Sequence, residues 1–246
     1  MYKYFICSDI CSYYTIWKTA LIDAGFQYNN PNHIIILLGN LLNNGPEPKE
    51  CLNFVCDMIN KNRIITIKGN HELMMEQAIN RMALSPIEDI NEIYETMVFL
   101  NDFEGIEPEH IVIEKMKKNY NWNKYFNNLI YYYETEKYIF VHSWVPCNTD
   151  SFGCNATKFK RKINWRDSPK REWNSAVWYN NYKPYQQKAF SDKIIICGHC
   201  DSKIWKEQLN MPPFDHQIFI TENAINVNAN IKDNHRCIDI LTLDKC

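Results

Sequence analysis

Apolar residues along this chain alternate between strand-like runs and helix-like spacing, and the alternation predicts the elements. Tyr4 to Cys7 is a short apolar run that stops at Ser8-Asp9-Ile10-Cys11, as a buried strand does at its tip. Ile16, Trp17, Ala20, Leu21 and Ala24 then recur at helical spacing, with Gly25 placed to end the helix. His33 to Leu38 is a continuous apolar strand that stops at Gly39-Asn40, and Cys51, Leu52, Val55, Cys56 and Ile59 mark one face of a second helix. Ile64 to Ile67 repeats the pattern and delivers Gly69-Asn70-His71-Glu72 to the start of a third helix. Strand, polar loop and helix in that order, three times, predict an α/β fold.

The rhythm lapses from about residue 83 to 128, where helical, charged and Asn-rich segments predict an insertion lying over the core. Strands are expected again at Ile130 to Tyr133 and at Tyr138 to Val141, the second ending in His142-Ser143-Trp144. A long loop with Trp165 and Arg166 and a helix around Trp173, Val177 and Trp178 precede a strand from Lys193 to Cys197, which ends in Gly198-His199-Cys200-Asp201. Strands at Ile218 to Thr221, Ala224 to Val227 and Ile238 to Leu243 complete the expected set. No repeat or low-complexity linker interrupts it, so residues 1–246 read as a single domain with that inserted segment.

Composition narrows the class of protein. A chain of 246 residues, 46% of them hydrophobic and only seven of them glycine, can bury a substantial core. Its net charge of −2 gives no basic footprint, so binding to nucleic acid is not expected. The longest apolar run, Ile34 to Leu38, is far too short to span a membrane, and Asp9 interrupts any secretory core. The ten cysteines are scattered through strand and helix patterns, which reads as reduced thiols in a cytoplasmic protein.

Five strand ends thus carry Asp9 and Cys11, Asn40, Asn70 and His71, His142, and His199 and Asp201. Carboxylate, amide, imidazole and thiolate are ligand types for Zn, Mn or Fe, and their convergence on one sheet edge would make a metal site. A lone strand-end His is more often solvated or hydrogen-bonded than a ligand, but five polar ends in succession are harder to explain that way.

In order and spacing these motifs resemble the calcineurin-like metallophosphoesterases, close to the bacterial and phage serine/threonine phosphatases. Asp9, Gly39, Gly45, Gly69-Asn70-His71-Glu72, Val141-His142 and Gly198-His199 match the family pattern. The resemblance implies two stacked mixed β-sheets flanked by helices, with divalent metals between the strand ends and His71 as the catalytic proton carrier. It also exposes substitutions. Cys11 stands where the family has a metal-ligand His, and Asn40 where it has the carboxylate that bridges two metals. Asn43 replaces the Asp that orients the catalytic His, Asn44 the Arg that holds the substrate phosphate, and Asp201 the last His.

What these substitutions imply is a phosphatase-like protein that is catalytically impaired or inactive. It would bind one weakly held divalent ion at most, through Asn70, His142 and His199, or a phosphorylated small molecule or phosphoprotein. The alternative is an active mononuclear zinc phosphoesterase, with Cys11 and Asp201 re-specifying the site, acting on a phosphoprotein or nucleotide. Arg166 and Arg161 are the candidate replacement phosphate contacts. Trp144, Trp165, Trp173 and Trp178 either roof the pocket or fill the core. Cys197-Gly198-His199-Cys200 also has the spacing of a redox motif, though too little chain follows it for a thioredoxin-like unit.

Overall fold

The computed structural model describes residues 2–81, 95–98, 100–101, 108–231 and 238–244. Its first strands are β1 (Lys3–Cys7), β2 (His33–Leu37), β3 (Ile64–Ile67), β4 (Leu129–Ile130), β5 (Tyr132–Glu134) and β6 (Tyr138–Val141). They are followed by β7 (Asn148–Thr149), β8 (Phe159–Lys160), β9 (Ile194–Cys197), β10 (Phe219–Ile220), β11 (Ala224–Asn226) and β12 (Leu241–Asp244). One sheet has the order β12-β1-β2-β3-β4 and the other β10-β11-β9-β6-β5, with β7 and β8 forming a separate hairpin. Both large sheets are mixed. In the first, only β12 runs antiparallel to its neighbour, and in the second β10 and β5 do.

The sheets stack face to face, and this explains the continuous apolar runs. Successive residues on a strand point to opposite faces. Tyr4 and Ile6 of β1, Ile36 of β2, Phe140 of β6 and Ile196 of β9 meet between the sheets. Phe5, Cys7, Ile35 and Leu37 face outward into a second core built with helices α1 (Tyr14–Asp23) and α2 (Pro48–Asn60). Ile139, Val141, Ile195 and Cys197 face the third core, on the far side of the other sheet. A strand buried on both faces has no polar face to alternate with.

The helices follow local chemistry. Proline in the first turn of α2 lacks the N–H that would find no partner there, and Cys51, Leu52, Val55 and Cys56 form its buried face. Helix α3 (Asn70–Arg81) begins directly at the tip of β3. Of the segment read as an insertion, residues 83–94, 99 and 102–107 lie outside the described residues. Its described part includes α4 (Glu109–Lys118) and α5 (Tyr120–Asn127), whose Val112, Met116, Trp122 and Tyr125 join the core under α1 and α2. On the other flank lie α6 (Lys170–Ala176), α7 (Tyr182–Gln186) and α8 (Ser202–Gln208), the last capped by the Asp201 carboxylate on Lys203 N at 2.8 Å.

Two expected strands take a different form. The run Ile130 to Tyr133 divides between the sheets: Ile130 pairs with Ile67 in the first, Tyr132 with Val141 in the second. The chain crosses between layers at Tyr131, a change of partner that an unbroken apolar pattern does not show. The last strand pairs only from Leu241 onward, because β1 ends at Cys7 and its backbone turns away at Asp9. Among the described residues, no helix is long and apolar enough to cross a membrane.

Candidate metal centre

The strand tips that carry the polar residues are tightly turned. Asp9, Cys11, Asn40, Asn43, Asn44 and His199 all have left-handed backbones, with φ of 54°, 50°, 55°, 85°, 72° and 65°. Such conformations are unfavourable for residues with a Cβ and gather where the surrounding structure fixes them, commonly at functional sites. Gly39, at φ 87°, lies so close to the next strand tip that a Cβ would stand 2.6 Å from Gly69 N. Two glycine backbones in contact bring Asn40 and Asn70 together.

Glu72 fixes the two tips to each other. It is fully buried, and its carboxylate accepts from Asn40 N, Gly69 N and Leu41 N, each at 2.9 Å, and from the Tyr125 hydroxyl at 3.0 Å. Four donors satisfy one buried charge, the condition under which such a charge is tolerated.

The orientation of Asn40 follows from its partners. Its Oδ1 accepts from His71 N at 3.0 Å, so its other end is the amide nitrogen. That nitrogen donates to Asp9 Oδ1 at 2.8 Å and to Asn70 Oδ1 at 3.0 Å. Asn70 therefore presents an oxygen, and that oxygen lies 2.8 Å from His142 Nε2. The other His142 nitrogen, Nδ1, faces the Leu38 carbonyl at 2.6 Å. Both ring nitrogens thus face acceptors, which a neutral imidazole with one N–H cannot satisfy. Burial lowers the His142 pKa to about 4, so the imidazolium that would satisfy both is not the form present at neutral pH. The His199 ring stands 5.0 Å from that of His142, centroid to centroid, and burial, then its neighbour His142, lower its pKa to about 3.

The donor types of Asn70, His142 and His199 suit a divalent cation. Two neutral imidazoles and an amide oxygen are suitable donors, and the Leu38 carbonyl orients His142 in the way that metal-binding histidines are usually held. The Asp9 and Asp201 carboxylates, like the Asn70 oxygen, already have partners. Asp9 Oδ2 accepts from His199 N at 3.0 Å and from the Ser8 hydroxyl. Asp201 caps α8 with one oxygen, and its other meets His216 Nδ1 at 2.8 Å and Asn230 Nδ2 at 3.2 Å. Among the described residues, no group of three or more His, Cys, Asp or Glu side chains is placed to hold a metal. Any site here depends on an amide.

A cavity of about 340 Å³ opens over this centre, with Asp9, Cys11, Asn40, Asn70, His71, His199 and Asp201 in its wall. His142 lies buried beneath. His71 Nδ1 faces the Leu42 carbonyl at 3.3 Å rather than a carboxylate, while Asn43 accepts from the Thr96 hydroxyl at 3.3 Å. Asn44 also lines the cavity, and its buried Oδ1 finds no donor among the described residues. Among the described residues, no arginine or lysine lines it.

Three of the expected substrate contacts stand elsewhere. Arg166 makes a two-pronged pair with Glu134, at 2.9 and 2.7 Å, and Glu134 sits opposite Ile139 near the start of β6, whereas His142 follows its end. Trp144 is buried in the outer core, its indole N–H on the Ala189 carbonyl at 3.0 Å. Arg161 is exposed just beyond β8. Trp165 and Trp173 pack with Trp144 in the same core. Cys197 is buried with its thiol pushed well up by burial, and burial pushes Cys200 up to about 12, so neither is a ready thiolate. The pattern alone did not reveal the part played by Glu72, by the Leu38 carbonyl, or by Asn226, Asn228 and Asn230. The last three do leave a trace, an amide at every second position after an apolar strand.

Solved structures share this fold. A cold-active protein-tyrosine phosphatase of a psychrophilic Shewanella species superposes with a TM-score of 0.60 at 13% identity, covering 100% of this chain and 76% of that one. A protein serine/threonine phosphatase from Saccharomyces cerevisiae gives 0.54 at 10% identity, covering 100% and 80%. A putative diadenosine tetraphosphatase gives 0.52 at 10% identity, covering 98% and 92%. No curated protein matches in sequence. The calcineurin-like phosphoesterase family matches residues 2–223. With two stacked mixed sheets and the family's motifs gathered at one edge, the chain belongs to the calcineurin-like phosphoesterases.

Proposed function

We propose that this protein is a catalytically impaired calcineurin-like phosphoesterase that holds one divalent ion on Asn70, His142 and His199. The observation that carries this is the Asn40 side chain. Where the family has a carboxylate shared by two metals, an amide N–H₂ donates to Asp9 Oδ1 and Asn70 Oδ1. A hydrogen-bond donor on the Asp9 side of the centre opposes a second cation there.

A bound divalent ion would supply Lewis-acid polarisation of a phosphoryl oxygen. The chain's own groups support turnover poorly. His71 reaches the cavity and can carry a proton, but among the described residues its ring rests on a neutral carbonyl rather than a carboxylate. Among the described residues the cavity wall holds no arginine or lysine to clamp the phosphate, the kind of loss that costs about 10³–10⁵-fold in phosphoryl transfer. A phosphorylated small molecule or phosphoprotein, bound and released unchanged, fits that chemistry, in a protein working in the cytoplasm.

His71 in the cavity wall favours a second reading, an active phosphoesterase with a single zinc. Turnover of an aryl phosphate decides between them. The protein is compared with a variant carrying Cys11→His, Asn40→Asp, Asn43→Asp, Asn44→Arg and Asp201→His. Activity at least about 10³-fold higher in the variant supports impairment, and equal activity in both overturns it. Equilibrium dialysis against Zn²⁺ should give one bound ion per chain, lost in His142→Ala.

A further inference from the structure

The loop that carries His199 hangs on asparagine side chains. Gly198 O accepts from Asn181 Nδ2 at 2.6 Å, His199 O from Asn228 Nδ2 at 2.8 Å, and Cys200 O from Asn226 Nδ2 at 2.8 Å. The next residue, Asp201, accepts from Asn230 Nδ2 through its carboxylate at 3.2 Å. Four consecutive residues are thus each held by a different asparagine.

The amides are themselves oriented. Asn181 Oδ1 accepts from the Trp205 indole at 2.6 Å, Asn226 Oδ1 from Asn228 N at 3.1 Å, and Asn228 Oδ1 from Asn230 N at 2.8 Å. With each oxygen committed, each nitrogen must point at the loop. The need for such donors comes from the backbone. His199 is left-handed at φ 65°, so the chain leaves the β9 ladder there and its carbonyls have no strand to pair with. Buried carbonyls without donors are strongly disfavoured. Asparagine is short enough to reach them and carries both a donor and an acceptor.

The cradle bears directly on the candidate metal centre. His199 N is fixed to Asp9 Oδ2 at 3.0 Å, and its carbonyl is fixed to Asn228. These two bonds clamp the backbone on both sides of the residue whose ring stands 5.0 Å from that of His142. We propose that Asn181, Asn226 and Asn228 are positioning residues for the divalent ion, with Asn228 holding the ligand residue itself. The inference rests on the single-ion reading of Asn70, His142 and His199.

The test is Zn²⁺ affinity of the full chain, measured by competition with a chromophoric chelator, together with the unfolding midpoint in excess chelator. Four variants are compared with the parent: Asn228→Asp, Asn228→Ala, His199→Ala and Asn119→Ala. The Asp variant keeps the oxygen that Asn230 N needs but turns the donor to His199 into a charged acceptor, and the Ala variant removes the donor without adding charge. Asn119 caps α5 through Trp122 N at 3.0 Å, away from the centre, so its loss destabilises the fold alone. Expected are a roughly 10–100-fold weaker affinity in both Asn228 variants, loss of binding in His199→Ala, and unchanged affinity in Asn119→Ala. If Asn228→Asp does not fold, Asn228→Ser carries the same expectation. Parent-like affinity in the Asn228 variants with His199→Ala impaired overturns the positioning role and leaves the single-ion reading standing. Equal binding by the parent and His199→Ala overturns both.

Discussion

The amide nitrogen of Asn40 lies 2.8 Å from Oδ1 of Asp9, a donor pressed against a carboxylate at the tips of two adjacent parallel strands. Asn40→Asp reverses that donor. Three acceptors, on residues 9, 40 and 70, then confront one another, and the metal-free protein should lose about 1–3 kcal/mol. The same substitution restores a shared carboxylate, so metal content should rise from one Zn²⁺ per chain to two, with a larger rise in unfolding midpoint on metal addition. Thermal unfolding with and without chelator, and metal analysis after dialysis, check both halves.

Glu72 holds three backbone N–H groups and a tyrosine hydroxyl while fully buried. Glu72→Gln removes the charge and turns an N–H₂ toward some of those donors, and it should destabilise by about 2–4 kcal/mol in urea titration. Tyr125→Phe removes one of the four donors and should cost only about 1 kcal/mol.

Two glycines separate crowding from backbone strain. A Cβ on Gly69 would stand 2.8 Å from Asn40 N and also collide with Asn40 Oδ1, whereas at Gly25 (φ +89°) a Cβ meets nothing within 4 Å. Gly25→Ala should cost about 1–2 kcal/mol, from the left-handed backbone alone. Gly69→Ala should cost at least about 3 kcal/mol and abolish Zn²⁺ binding, because Asn40 and Asn70 must separate.

The Arg166–Glu134 pair gives a pH signature. Hydrogen bonds from Arg166, and then from Lys193, hold the Glu134 carboxyl below its ordinary value of 4.5. A carboxylate with a lowered folded pKa stabilises the fold fully above its unfolded pKa, and that stability is lost as pH falls through the folded one. The parent should exceed Glu134→Gln by about 1–2 kcal/mol at pH 7, and the gap should close as pH falls below 4.5. Arg166→Met should lower stability at pH 7 and leave Zn²⁺ affinity unchanged, as expected for an arginine paired away from the cavity.

Local pattern was enough to determine the α/β class and the order of most elements. The run His33 to Leu38 is continuous because Ile35 and Leu37 pack outward while Ile36 and Leu38 pack between the sheets, and burial on both faces writes itself into consecutive residues. The tips were legible too, since a glycine and polar residues after such a run can only lie at a strand end. Which sheet Ile130 and Tyr132 each join, and that Arg166 and Trp144 stand outside the cavity, depended on partners distant in sequence. So did the direction of the Asn40 amide, set by Asp9, Asn70 and His71, 30 or 31 residues away, and the hold of Asn228 on His199, 29 residues back. Hydrophobicity repeats along the chain and can be read from it. Whether an amide offers its oxygen or its nitrogen is decided by what faces it, and that exists only once the chain has folded.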